Sequence, residues 1–154
     1  SYTGLRIGVS SAKGLCFSLD IPLISVPTLQ SMAYQVDVKP GELVIPVLDA
    51  RRMEVYSCVY DASYKEVRET RAEIIEEASF AEYVSDSKVY VIGSGAEKIR
   101  GVLEHPNFIF NESVVPSAKD MIQIALQKYQ SNEFEDVAYF EPYYLKDFVD
   151  FLLQ

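Results

Sequence analysis

Two apolar segments rich in β-branched and aromatic residues, 43–48 and 54–60, constrain the fold of this chain most strongly. Only the segment Asp49-Ala50-Arg51-Arg52-Met53 separates them. Such runs separated by so short a connection are typical of antiparallel strands joined by a tight turn. The sequence therefore predicts a β-hairpin over residues 43–60.

Helical and strand patterns alternate through the rest of the chain, which predicts a mixed α/β architecture. A helix spans 3–19 and ends at Asp20-Ile21-Pro22. Further strands are predicted at 23–26, which should be buried, and at 67–75, 88–92 and 108–110, and the end of the chain is extended over 139–146, with a tail at 147–153. Further helices are predicted at 28–34 with Thr28 as N-cap, 80–83 with Ser79 as cap, 96–103, and 117–129 with Ser117 as cap and Met121, Ile122, Ala125 and Leu126 as its apolar face.

A turn cluster at Lys39-Pro40-Gly41-Glu42 marks the best internal boundary. It divides the chain into residues 1–38, with two helices and one strand, and residues 39–154, with the remaining strands. We expect these two segments to belong to different lobes.

The charge balance narrows the class of partner. The 154 residues include 14 Lys and Arg against 23 Asp and Glu, so the formal net charge is −9. A protein that binds nucleic acid by itself needs clustered Lys and Arg to neutralise phosphates, so this chain is not expected to do so unless a partner contributes a basic patch. No apolar run reaches membrane-spanning length and no signal peptide is visible, which favours a soluble cytoplasmic protein.

The small number of Cys and His residues excludes disulfide frameworks and some zinc sites. Two Cys cannot form the disulfide framework of a small secreted domain, and a single His excludes zinc sites with two His ligands. His105 precedes a proline in a polar loop, where a catalytic role is not expected. Cys16 is interpreted as a small core residue. No residue is assigned as catalytic or metal-binding.

The first helix combines two faces. Leu5, Val9, Ala12, Cys16 and Leu19 form a broad apolar face, whereas Gly4, Gly8, Ser11 and Leu15 form a stripe of mostly small residues beside it. Gly within a helix costs about 1 kcal/mol relative to Ala, so two Gly four residues apart suggest that another backbone approaches closely. That backbone could belong to the same chain or to a second molecule, and spacing alone favours neither.

Two loops have compositions that could bind phosphate. Gly93-Ser94-Gly95 follows a predicted strand and precedes a helix, where backbone N–H groups can hold an anion. A plain turn with Ser94 as helix cap is the favoured interpretation, because the loop lacks the Lys of a P-loop. Asp49, Arg51, Arg52 and Glu54 could bind a metal–phosphate group, but a turn held by Asp49 with solvated arginines is favoured.

The aromatic residues near the end of the chain, Phe140, Tyr143 and Tyr144, could form a platform on which bases stack. Few cations accompany them in a chain of net charge −9, so packing or contact with a partner is the favoured interpretation.

Four blocks of sequence carry a resemblance to a known family. They are Ser1-Tyr2-Thr3-Gly4-Leu5-Arg6-Ile7-Gly8 followed by Lys13-Gly14-Leu15, then residues 21–29, residues 49–56 and residues 141–146. These blocks resemble the TsaB (YeaZ) family, in the family's own order and across essentially the whole chain. Two differences stand out: the family's amino-terminal stretch is absent, so we expect that residues precede Ser1 in the natural protein, and Lys146 stands where the family commonly has Arg.

The resemblance implies a degenerate actin-like/Hsp70-like ATPase (ribonuclease H-like) fold, truncated at its amino-terminal lobe, with 1–38 as the remainder of that lobe and 39–154 as the carboxy-terminal lobe. It implies a non-catalytic scaffold that activates a TsaD-like subunit, which transfers a threonylcarbamoyl group to a tRNA adenosine. A TsaE-like ATPase and a second copy of the chain are further implied partners. tRNA would be reached only through the complex. No cofactor is expected on this chain alone, although ATP or ADP could lie at the partner interface.

The resemblance places pairing on the first helix, where Gly4 and Gly8 permit a close approach. The alternatives are a small-molecule kinase or ATPase of the same fold, with an adenosine pocket near Gly93–Gly95, or a peptidase, as older glycoprotease naming suggests. Open strand edges left by truncation favour a dimer or larger oligomer. The predicted interface is Thr3, Gly4, Leu5, Gly8, Ser11, Ala12 and Leu15.

Overall fold

The structure is a computed structural model that describes residues 2–84 and 87–145. Four α-helices and five strands are assigned within those residues. The helices are α1 (Tyr2–Leu19), α2 (Thr28–Ala33), α3 (Ala96–Ile99) and α4 (Ile122–Gln130), with 3₁₀ turns at Ala81–Tyr83 and Ala118–Met121. The strands are β1 (Leu43–Asp49), β2 (Glu54–Tyr60), β3 (Glu66–Ile74), β4 (Val89–Ile92) and β5 (Phe108–Asn111).

The strands form one mixed sheet in the order β3-β2-β1-β4-β5. β1 and β2 pair antiparallel with Val47 opposite Ser57, which confirms the predicted hairpin. β3 adds antiparallel to β2, whereas β4 and β5 run parallel to β1. The predicted α/β class is therefore confirmed.

The central strands are buried on both faces, which explains their nearly continuous apolar sequences. Alternate β1 residues enter different clusters, because successive side chains point to opposite faces of a sheet. Ile45 and Val47 pack with Phe80 and Ile99 in one cluster. Val44 packs in the other, together with Met32 of α2.

The chain divides into two compact units. One comprises residues 1–26 and 122–154, of which 2–26 and 122–145 are described, and it contains α1 and α4. The other comprises 27–121 and contains the sheet with α2 and α3. The boundary predicted between residues 38 and 39 lies within this second unit.

The predicted strand at 23–26 is wrong. Only Leu23 pairs, through an isolated antiparallel bridge in which the Glu135 N–H donates to its carbonyl at 2.8 Å. Ser25 is held by side chains instead, since its hydroxyl donates to the Glu135 carboxylate and its carbonyl accepts from Lys128 Nζ at 2.9 Å. Side-chain hydrogen bonds therefore hold this segment in place of the β-ladder that the sequence predicted.

Helix starts also differ from the predicted caps. Pro27 rather than Thr28 precedes α2, and Gly95 rather than Ser94 precedes α3, with no side-chain cap in either case. Phe80, whose φ is 62°, directly precedes the 3₁₀ turn at Ala81–Tyr83, so Ser79 does not cap that turn. The Ser79 hydroxyl accepts a hydrogen bond from the Glu76 N–H instead. Ser117 does accept from the Lys119 N–H at 3.3 Å, but that helix begins as a 3₁₀ turn.

Two helices differ from their predicted extent or orientation. α3 ends at Ile99 rather than Leu103, just before Gly101, a poor helix former. In α4 the buried residue is Ile124, whereas Ile122 and Leu126 are exposed, as is Met121 in the preceding 3₁₀ turn. The predicted apolar face of α4 is therefore wrong except at Ala125, which is half-buried.

A half-buried charged network joins β2 and β3. Arg68 donates to both carboxylate oxygens of Glu73, at 2.5 and 3.0 Å, and to the Ser57 hydroxyl at 2.6 Å. Its guanidinium lies 4.9 Å from the centre of the Phe80 ring. Burial alone would raise the pKa of Glu73, but the hydrogen bonds from Arg68 and Ser57 and the Arg68 charge outweigh it, so the pKa lies below its ordinary value.

We expect this network to make the free energy of unfolding depend on pH in the acidic range. Because the pKa of Glu73 is lower in the folded chain, its contribution is present at neutral pH and is lost as pH falls below about 4. Glu73→Gln should lower stability at pH 7 by about 2 kcal/mol and flatten this part of the profile. Urea unfolding across pH measures both effects; Glu69→Gln, at an exposed surface pair, is the control. An unchanged acid profile in Glu73→Gln would contradict the assignment.

Candidate functional site

Helix α1 carries the predicted small-residue stripe on an open surface. Gly4, Gly8, Ser11 and Leu15 are all exposed. A Cβ added at Gly8 would meet no described heavy atom within 4 Å. Gly4, Leu5, Gly8 and Val9 line a shallow open groove of about 400 Å³. The stripe is therefore accessible and notched.

The opposite side of α1 contacts its own compact unit. Lys13 Nζ donates to the carbonyls of Ala138 and Phe140, at 2.9 and 3.0 Å. The Ile21 N–H donates to the Cys16 carbonyl at 3.1 Å, which closes the end of the helix. Tyr2, Val9, Ala12, Lys13 and Cys16 are the half-buried residues of the helix.

The predicted apolar face of α1 is thus correct only in part. Val9, Ala12 and Cys16 are half-buried, but Leu5 is 44% exposed and Leu19 is 62% exposed. The packed face is rotated towards Tyr2 and Lys13, and the Lys13 stem packs while its ammonium bonds to carbonyls. Cys16 is half-buried rather than a core residue.

The predicted interface residues lie together on α1. Six of them are exposed, namely Thr3, Gly4, Leu5, Gly8, Ser11 and Leu15, and Ala12 is half-buried at the margin. Sequence reasoning did not select three further exposed apolar residues of the same helix, Ile7, Phe17 and Leu19. The available signal was that apolar residues extend well beyond the predicted stripe, since the main polar sector of the helix, at Thr3, Arg6, Ser10 and Lys13, is narrow.

A second exposed apolar strip lies on α4. Ile122, Leu126 and Tyr129 follow each other at helical spacing and are 65%, 53% and 56% exposed. The Tyr129 ring lies 5.8 Å from the 41%-exposed Phe134 ring, which extends the strip. α1 and α4 both belong to the first compact unit, so that unit carries most of the exposed apolar helix surface.

The Gly93-Ser94-Gly95 loop has few free backbone donors. The Gly93 N–H donates to the Asn111 carbonyl at 3.0 Å and the Gly95 N–H to the Val47 carbonyl at 3.1 Å. The Ser94 hydroxyl accepts from the Asp49 N–H at 3.2 Å. These bonds tie the loop to β1 and β5, and the nucleotide-proximal role predicted for it stays a prediction.

The Asp49–Glu54 turn lies beside α3. Lys98 Nζ donates to Asp49 Oδ1 at 2.5 Å and to the Glu54 carbonyl at 2.6 Å. Asp49 Oδ1 also accepts from the Arg51 N–H at 2.8 Å. The hydrogen bond from Lys98 lowers the pKa of Asp49, burial opposes it, and the hydrogen bond from the Arg51 N–H and the Lys98 charge add to the lowering. Sequence reasoning missed Lys98, which lies outside the turn.

The predicted loop residue His105 and the buried Cys58 are two further residues whose side chains could act in catalysis. His105 is half-buried and its Nδ1 accepts from the Asn107 N–H at 3.2 Å. Burial raises the pKa of the Cys58 thiol. Within residues 2–84 and 87–145, no group of three or more Cys, His, Asp or Glu is placed to hold a metal ion.

The aromatic residues near the end of the chain do not all pack alike. Tyr144 lies 4.9 Å from the Tyr2 ring, and Phe140 is half-buried. Tyr139 and Tyr143 are 84% and 76% exposed. Ser1, Lys146 and the predicted tail at 147–153 lie outside the described residues.

Comparison with known proteins decides the family. A family model described as TsaD, tRNA N6-adenosine threonylcarbamoyltransferase, matches residues 1–146. The Escherichia coli K12 protein named tRNA threonylcarbamoyladenosine biosynthesis protein TsaB is 31% identical over 154 residues, covering 96% of this chain and 67% of the relative. The chain belongs to the TsaB family.

Other relatives agree with this assignment. A Bacillus subtilis TsaB is 48% identical over 60 residues, which cover 39% of this TsaB-family chain and 26% of the relative. A Haemophilus influenzae TsaB is 27% identical over 157 residues, covering 96% and 66%. The chain thus spans about two thirds of the length of the relatives that match along most of it.

Solved structures confirm the fold. A Pseudomonas aeruginosa protein described as similar to peptidase YEAZ superposes with a TM-score of 0.80 at 23% identity, over 95% of this chain and 69% of that one. YeaZ from Pseudomonas aeruginosa gives 0.75 at 24% identity, over 94% and 69%. The predicted fold class is that of these structures. No helix among the described residues is long and apolar enough to cross a membrane.

Proposed function

We propose that this TsaB-family chain acts in threonylcarbamoyladenosine biosynthesis on tRNA, as a non-catalytic subunit that binds and activates a TsaD-like transferase. The observation that carries the proposal is the exposed, glycine-notched stripe of α1. The names of the relatives support the pathway, and the description of the matching family model supports the identity of the partner.

The stripe is suited to helix–helix docking. Gly4 and Gly8 lack a Cβ, so a partner helix can approach the α1 backbone more closely than larger side chains allow. Leu5 and Leu15 flank the notch, and each would contribute about 1 kcal/mol when buried from its present exposure. Small residues thus set the distance of approach, and the flanking leucines supply apolar area.

Two of the described residues that could act as a nucleophile or a base, Cys58 and His105, are in settings that reduce their reactivity. The raised pKa of the Cys58 thiol keeps it protonated, and the thiol contacts the Arg68 carbonyl at 3.0 Å. The His105 Nδ1 lone pair is engaged by a backbone N–H. These environments support assigning the transfer chemistry to the partner.

The other components of the proposed complex come from the family resemblance. They are a TsaE-like ATPase, ATP or ADP at the partner interface, tRNA bound through the complex, and a cytoplasmic location. A second copy of this chain competes for α1 in this scheme, since one notched surface would serve both pairings.

Reconstitution tests the proposal. The full-length protein and the TsaD-like subunit of the same organism are mixed, and their affinity is measured by calorimetry. Threonylcarbamoyladenosine on a tRNA transcript is then quantified with each subunit alone and with both. We expect product that depends on both subunits, with no transfer by this protein alone. Transfer by this protein alone, or absence of binding, would overturn the proposal.

The exposed stripe also predicts self-association. Light scattering of this 154-residue chain at micromolar concentration should show a dimer or larger oligomer, because unpartnered apolar surface promotes association. Leu15→Asp should shift it towards monomer, since a charge on the stripe opposes burial. Phe17→Asp, at an exposed residue outside the stripe, should change it less. A clean monomer of the unaltered chain would contradict this expectation.

A further inference from the structure

Helix α1 is held in its compact unit without burying any of its side chains fully. None of its 18 residues, Tyr2–Leu19, is buried. Most of the stability of a helix in a protein comes from tertiary packing, so a helix without buried residues depends strongly on the polar contacts that it makes. The contacts that fix α1 therefore matter for any partner that docks on it.

Lys13 makes two of these contacts. Its Nζ donates to the Ala138 carbonyl at 2.9 Å and to the Phe140 carbonyl at 3.0 Å, which lie 125 and 127 residues further along the chain. The side chain is half-buried, and hydrogen bonds from a charged donor are stronger than those between neutral groups. Lys13 therefore ties the middle of α1 to a segment that is distant in the sequence.

The segment that receives Lys13 is itself fixed by Asp136. The Asp136 Oδ1 accepts from the N–H groups of Ala138 and Tyr139, at 2.8 and 3.0 Å. The Asp136 carbonyl accepts from the Phe140 N–H at 2.9 Å. These three hydrogen bonds hold the turn in which both acceptor carbonyls of Lys13 lie. The link from Asp136 through the turn to Lys13 thus joins α1 to a defined support.

The docking stripe lies on a different side of α1 from this link. Lys13 is five positions after Gly8 in the sequence, which places it about 140° around the helix. The Lys13 ammonium bonds to its own compact unit, so a partner helix in the glycine notch would not meet it. A change at Lys13 would therefore reach such a partner through the position of α1.

We infer that Lys13 is a positioning residue for partner binding, which holds α1 in the orientation in which the stripe receives a helix of the TsaD-like subunit. A surface that is ordered before binding loses less conformational entropy when the complex forms. The notch at Gly4 and Gly8 acts through close approach of two backbones, so a small change in the orientation of α1 would misplace the contact. The inference rests on the proposed function, which supplies the partner.

The test removes the ammonium and keeps most of the stem. In the full-length protein, Lys13→Met should lower the affinity for the TsaD-like subunit, measured by calorimetry, about tenfold. Hydrogen exchange of the α1 amides in the free protein should become faster, while the amides of β1 and β4 keep their protection. Lys119→Met, at an exposed lysine of the other compact unit, is the control and should change neither readout.

Two further variants test the same link. Asp136→Ala frees the turn that carries the acceptor carbonyls, so it should also weaken partner binding and the protection of α1. Combined with Lys13→Met it should add little to the loss, because both changes act on one link; losses that multiply would overturn the inference. Lys13→Arg keeps the charge and several donors, and it should recover most of the affinity.

The outcomes distinguish this inference from the proposed function. Faster exchange of α1 with unchanged affinity in Lys13→Met shows a role in stability alone and overturns the inference. Lower affinity with unchanged exchange shows that Lys13 contacts the partner directly, and also overturns it. Loss of protection throughout the chain in both Lys13→Met and Asp136→Ala does the same. Failure of the unaltered protein to bind the TsaD-like subunit overturns the proposed function, and the inference with it.

Discussion

Gly8→Leu is expected to abolish association with the TsaD-like subunit, a loss of at least about a hundredfold in affinity. A Leu side chain at Gly8 would fill the groove into which a partner helix must fit. Calorimetry with the purified subunit measures the loss. The fold should be unaffected, because no described atom lies within 4 Å of an added Cβ and Leu favours a helix more than Gly does.

Gly14→Leu is the matched control for this prediction. Gly14 lies in the same helix, is exposed and also has no described atom within 4 Å of an added Cβ, but it is outside the stripe. It should retain the affinity of the unaltered protein, with the same gain in helix propensity. Equal affinity of Gly8→Leu and Gly14→Leu would show that the stripe is not the docking surface.

Gly93→Ala is expected to cause a large loss of stability, about 3 kcal/mol or more. Gly93 has a φ of 109°, and a Cβ there would lie 2.5 Å from both the Val47 carbonyl oxygen and Met32 Cε. Met32 could move, but the carbonyl belongs to the central strand and accepts from the Gly95 N–H. Chemical denaturation monitored by circular dichroism measures the change.

Gly101→Ala is the control for that prediction. Gly101 is exposed, and an added Cβ would meet no described atom within 4 Å. This variant should stay within about 0.5 kcal/mol of the unaltered chain. If Gly93→Ala were as stable as Gly101→Ala, the close approach of the loop to β1 would not be the reason for glycine at this position.

Sequence patterns correctly predicted the helices and strands that are determined by residues close together in the chain. The hairpin follows from two β-rich runs and a short connection, and α1 follows from periodicity that ends at Pro22. The glycine notch on α1 could also be predicted, because residues four apart share one face of a helix whatever surrounds that helix. The prediction of a strand at 23–26 was wrong because an apolar composition is typical of a strand, whereas the hydrogen bonds that hold this segment come from Glu135 and Lys128.

The sequence by itself determined the α/β class, the hairpin and the alignment of Gly4 with Gly8, since each depends on neighbours a few residues apart. Only the tertiary structure decided which face of α4 is buried, why Gly93 must lack a side chain, and that Lys98 braces a turn 49 residues away. Those features depend on atoms that are far apart in the sequence and come together only in the folded chain, and spacing along the chain carries no record of such contacts.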